Sequence, residues 1–381
     1  MSANHVSANH VSANANSLAQ NCSYQDCRYM ALALALGRRG LGRTWPNPAV
    51  GAVIVKDAIV LARGWTQPGG RPHAEIEALR RAGSDARGAT LYVTLEPCSH
   101  FGKSPPCADA VIAAGISRVV SALEDPNPEV AGAGHARLRA AGIAVAVGVG
   151  AEQARRDHAG HIRRVTDGRP HVILKLAISA DGKAAAAGRR PVAITGEAVR
   201  DRVHMMRAQS DAIMIGIGTA LADDPMLTCR LPGMTRQSPV RVVLDAALRL
   251  PLRSRLVSSV RETPVWVVGS VTADRSRTDA LAACGAVAMQ VPAREGRLDL
   301  VAVLRALAER GITRLMVEGG PTIAAALLAA DLVDEAVLFH SDMIVGAGGI
   351  DALPAPGLSQ HLRVFHSERV GADRYEHYLR R

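Results

Sequence analysis

His73-Ala74-Glu75, followed downstream by Glu96-Pro97-Cys98 and then Cys107, constrains this chain more than any other feature. One imidazole and two thiols are ligand types that zinc prefers, and a zinc site that does chemistry keeps its fourth position open for water. The three ligands stand in separate stretches of sequence, so the fold must bring three segments to one point. Glu75 is a carboxylate not needed as a ligand. His-x-Glu, then Pro-Cys and a second Cys, is the arrangement of zinc deaminases, in which the Glu carries protons for the activated water. Each residue alone has a plainer explanation, because a single His or buried Cys usually serves core packing. Together they point to zinc held by His73, Cys98 and Cys107, with Glu75 as proton carrier, and to deamination of an amino-heterocycle. No fourth Cys or His is expected to close the shell, which argues against a purely structural zinc.

Local context agrees. Thr90-Leu91-Tyr92-Val93-Thr94-Leu95 is β-branched and apolar, so it predicts a buried strand that delivers Cys98 to its C-terminal end. Pro72 and Pro97 each precede a ligand, which predicts helix starts there. The unpaired N–H groups and positive dipole end of a helix start favour thiolate over thiol.

With 381 residues the chain is long enough for two domains. A hydrophobic content of 48% and unbroken β–α alternation place it among soluble globular α/β proteins. No apolar stretch approaches the ~20 residues of a membrane span. Residues 1–20 lack the charged and apolar regions of a signal peptide. They instead repeat Ser-Ala-Asn-His-Val twice between Ser2 and Val11, a polar tail expected to be disordered. Six scattered cysteines give no disulfide framework, and the cytoplasm is the expected compartment. The net charge of +10 comes from arginines that are spread out, and aromatics are only 3%, too few for the stacking platforms of single-strand binders. Small phosphorylated substrates fit this balance better than nucleic acid or membrane. A homo-oligomer is expected.

Residues 21–155 alternate helix and strand: helices over 29–37, 73–82, 107–114 and 137–141, strands over 50–55, 90–95, 118–122 and 143–149. This pattern predicts a three-layer α/β domain. A polar, basic passage up to Pro170 breaks it, with a partly helical linker over 156–170. A second alternating series fills 171–381, with strands over 172–177, 211–217, 240–245, 265–268 and 315–317 and helices over 197–209, 298–310 and 323–330. Glu318-Gly319-Gly320-Pro321-Thr322 links the last strand and helix, a junction able to receive an anion. No Gly-x-Gly-x-x-Gly follows the first strand, so a Rossmann fold is not supported.

The stretch TLEPCSHFGKSPPCADAVIAAGISRVVSALEDPNP (Thr94–Pro128), with Pro46-Asn47-Pro48-Ala49-Val50-Gly51 upstream, resembles the bifunctional riboflavin-biosynthesis deaminase-reductases. Cytidine and tRNA-adenosine deaminases typically carry Cys-x-x-Cys, whereas Cys98 and Cys107 bracket eight residues. LKLAISADGK (Leu174–Lys183), GIGTALADDPMLTCR (Gly216–Arg230) and VEGGPTIAAALL (Val317–Leu328) extend the resemblance through the second half. It implies a cytidine-deaminase-like domain that removes the 2-amino group of a phosphoribosylaminopyrimidine. It also implies a dihydrofolate-reductase-like domain that uses NADPH to reduce the ribosyl moiety of the product to ribityl.

The resemblance places Asn47, His100 and Lys103 around the deaminase substrate. Asn47 between prolines could equally be a turn residue, and Lys103 a solvated loop lysine. In the second half, Arg207, Leu227, Arg230 and Glu318 match substrate positions. Ala177, Thr219, Asp223 and the run Gly320, Pro321, Thr322, Ile323, Ala324, Ala325, Ala326 match NADPH positions. Arg207 on a helix could instead belong to a solvated face, and Asp223 could cap a helix. Lys175 and Glu318 are candidates for polarising or protonating the sugar. The chain departs from the family at Pro191-Val192-Ala193-Ile194-Thr195, where many members read Ser-x-Trp-Ile-Thr, and at Thr66 and Glu77, where many have His. Two other readings compete: a nucleic-acid-editing deaminase whose second half only binds RNA, and a folded protein with a dead reductase.

Overall fold

The computed structural model describes residues 23–102, 105–128, 130–190, 192–354 and 357–381. The expected disordered tail and Lys103 lie outside the described residues. Contacts divide the chain into two compact units. Pro48–His158 joins the residues up to Gly40 in the first, and Leu41–Asn47 joins Ala159–Arg381 in the second.

In the first unit the order is α1 (Tyr24–Gly37), β1 (Gly51–Lys56), β2 (Ile59–Trp65), α2 (Ala74–Ala82), β3 (Thr90–Val93), α3 (Cys107–Ala113), β4 (Arg118–Ser121), α4 (Ala133–Ala140), β5 (Ala144–Val147) and α5 (Ala151–Asp157). The five-stranded sheet runs β2-β1-β3-β4-β5. Only β3, β4 and β5 are mutually parallel; β1 is antiparallel to both neighbours. Strand β1 is buried from Gly51 to Val55, as its unbroken apolar run requires with a partner on each side. The sequence reading missed β2. The turn from β1 into it is Asp57-Ala58, both left-handed at φ 51° and 62°, without the Asn-Gly or Asp-Gly pair that marks such hairpins. Ser23 caps α1 by accepting the Asp26 N–H at 3.1 Å. The Asp26 carboxylate then receives Tyr92 at 2.8 Å and both amino groups of Arg118 at 2.8 and 2.9 Å, fastening α1 to β3 and β4.

The second unit contains α6 (Ala159–Asp167), β6 (His171–Ile178), β7 (Lys183–Ala185), α7 (Glu197–Ala208), β8 (Ala212–Gly216), α8 (Ile217–Asp223), β9 (Val240–Leu244), α9 (Arg255–Ser258), β10 (Val265–Ser270), α10 (Arg275–Ala283), β11 (Val287–Val291), β12 (Ala293–Arg294), β13 (Arg297–Leu298), α11 (Leu300–Glu309), β14 (Arg314–Val317), α12 (Pro321–Ala329), β15 (Glu335–His340), β16 (Ile350–Asp351), β17 (Leu362–Val370) and β18 (Asp373–Arg380). Its nine-stranded sheet has the order β11-β10-β9-β8-β14-β6-β15-β18-β17. All strands from β11 to β15 are parallel, and β18 and β17 add an antiparallel edge. Leu174 and Leu315 pack with Leu307 and Leu327 in one apolar cluster, while Ile215 and Val243 pack with Leu256 and Leu281 in another. Burial on both faces explains why these strands read as largely apolar runs. The edge strand β17 was not anticipated, because His366-Ser367-Glu368-Arg369 is exposed and carries no apolar period.

A buried carboxylate ties the head of this sheet. Asp334, its side chain 1% exposed, takes two hydrogen bonds from Arg169 at 2.6 and 2.7 Å and the Val172 N–H at 2.9 Å. Burial alone would raise its pKa, but the Arg169 guanidinium reverses that and holds the carboxyl below its ordinary value. Asp334→Ala should destabilise the protein by about 3–5 kcal/mol, the effect of stranding a buried guanidinium, read as a lower denaturant midpoint. A carboxyl depressed in the folded state stabilises above its unfolded pKa of about 3.9 and loses that contribution as pH falls through its folded pKa. The gap between wild type and variant should therefore hold from neutral pH to about 4 and narrow below it. A gap that keeps its full size in more acidic solution would show that the ion pair is not its source.

Candidate active sites

His73 is the N-cap residue of α2. Its height is set by Gly64 of β2, where a Cβ would meet the Ala74 carbonyl at 2.2 Å and the Ala78 nitrogen at 2.7 Å. Only glycine lets the helix lie this close. Glu75 follows in the first turn and is buried. Cys98 lies beyond β3, which ends at Val93, short of the expected Leu95. Pro97 opens no helix, contrary to the sequence expectation; Leu95 to Cys98 is irregular backbone. The helix start that matters is Cys107, first residue of α3. Its N–H donates to Cys98 Sγ at 3.3 Å, and the Ala108 N–H donates to the Cys98 carbonyl at 3.1 Å.

The three ligand-type atoms converge. His73 Nδ1 is 3.3 Å from Cys107 Sγ and 3.8 Å from Cys98 Sγ, and all three lie within 4.8 Å of one another. A tetrahedral zinc with its usual bonds to nitrogen and sulfur separates its donors by about 3.5–3.8 Å, so this set fits the metal. The second ring nitrogen, Nε2, is buried without a protein partner. Between the thiols, hydrogen bonding from Cys107 lowers the Cys98 pKa to about 4, against the opposing effect of burial. Cys107, donor in that bond and itself buried, goes up instead. Burial also raises the Glu75 carboxyl, the neighbouring His73 only partly offsetting it.

Glu96 was named in the motif without a task, and it has one. Buried, it accepts the N–H groups of Asp125 at 3.1 Å, Gly132 at 2.9 Å and His135 at 3.1 Å. It thereby fixes the segment that carries Cys98. His100 is exposed and outside the donor cluster. Asn47 sits in a turn, its N–H on the Thr44 carbonyl at 3.0 Å, and clusters with the second unit. Where many family members have His, Thr66 Oγ1 accepts the Val50 N–H at 3.0 Å and buried Glu77 pairs with Arg80 at 3.2 Å and Arg81 at 2.9 Å. Both substitutions are thus locally satisfied.

In the second unit, a cavity of about 250 Å³ is lined by Lys175, Ala177, Thr219, Asp223, Glu318 and Gly320. It opens at the β14–α12 junction, where Gly319 and Gly320 take φ of 107° and 68° and no side chain caps the helix N-terminus. Arg207 is not on a solvated face: Nε and Nη2 grip Glu318 at 2.6 and 2.7 Å, and Nη1 donates to the Thr228 carbonyl at 3.1 Å. Despite burial, that guanidinium holds the Glu318 carboxyl below its usual range. Desolvation lowers the pKa of Lys175, whose Nζ is 5.9 Å from the Phe339 ring centroid, and Glu318 only partly restores it. Arg230 is exposed, and its N–H reaches His204 Nδ1 at 3.4 Å. Asp223 ends α8 rather than capping a helix start. The Leu227 and Ala324 side chains pack in the apolar core.

Residues 23–123 match the family described as the cytidine and deoxycytidylate deaminase zinc-binding region, and residues 170–374 match the RibD C-terminal domain. The chain is 42% identical over 342 residues to the riboflavin biosynthesis protein RibD of Escherichia coli K12, covering 87% of this chain and 91% of that protein. It is 40% identical over 347 residues to the protein of that name from Aquifex aeolicus, covering 90% and 95%. Among solved structures, form 1 of Acinetobacter baumannii RibD superposes with a TM-score of 0.84 at 35% identity, covering 94% of this chain and 99% of that one. The Thermotoga maritima diaminohydroxyphosphoribosylaminopyrimidine deaminase/5-amino-6-(5-phosphoribosylamino)uracil reductase superposes with 0.82 at 35% identity, covering the same shares. A cytidine-deaminase-like domain that takes zinc and a dihydrofolate-reductase-like domain that takes NADPH, on a chain this similar end to end, make the protein a member of the bifunctional RibD family of riboflavin-biosynthesis enzymes.

Proposed function

We propose that the first unit hydrolyses the 2-amino group of 2,5-diamino-6-(5-phosphoribosylamino)pyrimidin-4(3H)-one, and that the second reduces the ribosyl chain of the uracil product to ribityl. The observation that carries the first half is the convergence of one imidazole and two thiols within 4.8 Å, beside a buried carboxylate. His73, Cys98 and Cys107 would hold zinc, which when bound supplies Lewis-acid activation of water. Glu75 takes up the proton released by that water and returns it to the departing amine. Its raised pKa suits it to hold a proton for part of the cycle.

For the reduction, two neighbours divide the roles: both pKa values are lowered, which keeps the carboxylate charged and eases proton loss from the ammonium. Glu318, locked to Arg207, stays ionised and orients the site. Lys175, whose pKa desolvation lowers, is the group that hands a proton to the sugar oxygen as the C1′–oxygen bond of the ribosyl opens, while NADPH, when bound, would supply the hydride that C1′ takes up. Arg230, exposed near Arg207, supplies charge for the substrate phosphate. The partner in this reading is a small phosphorylated pyrimidine; no helix of the described residues is long and apolar enough to cross a membrane. Self-association in the cytoplasm is part of the proposal, supported by exposed Val364 and Phe365 on the edge strand β17. The nucleic-acid-editing alternative is not favoured, given the similarity of the second unit to reductases.

Elemental analysis should find zinc in the purified protein and lose it in Cys98→Ala and Cys107→Ala; full occupancy in both would overturn the ligand set. Glu75→Gln should keep zinc and lose deamination by about 10²–10⁴-fold, the usual weight of a positioned acid–base group, while reduction of the deaminated intermediate continues. Lys175→Met should show the converse: intact deamination, unchanged NADPH binding, and kcat for reduction lowered by about 10²-fold or more. Near-normal turnover of that variant would remove Lys175 as proton donor.

A further inference from the structure

The backbone from Leu227 to Arg230 presents Arg230, the exposed guanidinium assigned above to the substrate phosphate, and lies in neither helix nor strand. Leu227 opens it at φ 54°, a left-handed conformation that a residue with a side chain keeps only where its surroundings hold it. Three successive groups are held. Arg207 Nη1 donates to the Thr228 carbonyl at 3.1 Å. The Cys229 N–H donates to Ser238 Oγ at 3.1 Å, and that hydroxyl donates in turn to the Thr235 carbonyl at 2.8 Å. The Arg230 N–H donates to His204 Nδ1 at 3.4 Å.

His204 and Arg207 stand three residues apart on α7, so one face of that helix reaches both ends of the Thr228–Arg230 stretch. An imidazole accepts at Nδ1 only as the neutral tautomer with its proton on Nε2. The groups that face this ring are Arg207 from its own helix, Arg230 and the Thr228 carbonyl from the held stretch, and Glu318 from just beyond β14. Burial, with the charges of Arg207 and Arg230, lowers the pKa of His204 against the opposing effects of the carbonyl and Glu318. The ring therefore stays neutral at neutral pH, as the bond it accepts requires.

We propose that His204 is a positioning residue for the reduction: its neutral imidazole fixes the backbone of Arg230 and so aims that guanidinium at the substrate phosphate. This rests on reading Arg230 as the phosphate ligand. Protonation turns Nδ1 into a donor that faces another donor, the Arg230 N–H, and the tie is lost. Acid therefore weakens binding of the phosphorylated substrate through this ring, over and above any protonation of the phosphate itself.

The test uses the full-length protein with His204→Leu, His204→Gln, Arg230→Ala and the Leu/Ala double variant. The amide oxygen of Gln can still accept an N–H, whereas Leu cannot. Reduction of the deaminated pyrimidine is followed across the range in which His titrates, with KM measured for pyrimidine and for NADPH. At neutral pH His204→Leu should raise the KM for the pyrimidine by about three- to tenfold, the weight of one hydrogen bond. Its kcat and its KM for NADPH should stay at wild-type values, and His204→Gln should restore the KM for the pyrimidine. In the Arg230→Ala background the Leu substitution should add nothing. Below about pH 6.5, the ordinary value for His, the wild-type KM should climb above that of His204→Gln. A KM left unmoved by His204→Leu while Arg230→Ala raises it would overturn the proposal, and so would additive effects in the double variant. A wild-type KM that falls in acid relative to His204→Gln would mean that the charged ring binds the phosphate itself, which overturns it too. Should His204→Leu fail to fold, the acid comparison between wild type and His204→Gln decides alone. An Arg230→Ala variant with unchanged KM would instead sink the phosphate reading on which the proposal rests.

Discussion

The deaminase site depends on one steric constraint: α2 must lie against β2 closely enough for its first turn to reach the Cys98–Cys107 segment. Gly64 makes that approach possible, since any Cβ there would strike the Ala74 carbonyl. Two further ties then complete the site. The buried Glu96 carboxylate gathers three N–H groups behind Cys98, and the Cys107 N–H faces the Cys98 sulfur. A metal bound at three such points meets donors already held by the protein, so little conformational freedom is left to lose on binding.

Two buried carboxylates illustrate how one residue type serves opposite purposes in the two units. Desolvation acts on both and by itself raises the pKa of each. At Glu75 it prevails, because His73 compensates only partly and the charge of Cys98 acts in the same direction as burial. At Glu318 it is overcome by the two-pronged bond with Arg207. The first is left able to hold a proton; the second stays charged and keeps neighbouring Lys175 from losing its proton too readily.

Much of the architecture was legible because parallel strands buried on both faces are written in largely apolar runs, as in Ala212–Ile215 and Val265–Val268. The buried apolar strand β15 was also left unread; other elements that escaped were written in weaker signals. The hairpin into β2 turns on Asp57-Ala58 without glycine, and β17 is an exposed polar edge. The helix start assigned to Pro97 failed because proline also suits irregular extended backbone, which is what Leu95–Cys98 adopts.

The residue types and their order determined by themselves that zinc could be held: imidazole and thiol are zinc donors wherever they stand, and the spacing from His73 through Cys98 to Cys107 separates this chain from Cys-x-x-Cys deaminases. Which way each charge works was decided only by the tertiary structure. Arg207 could have met solvent, phosphate or a carboxylate, and it meets Glu318 because the end of α7 lies beside the end of β14. Leu227 and Ala324 stand in site motifs, yet their side chains went to the core. The reason is physical: coordination chemistry belongs to a side chain's own atoms, whereas pKa, pairing and exposure belong to the neighbours that packing supplies, many of them distant in sequence.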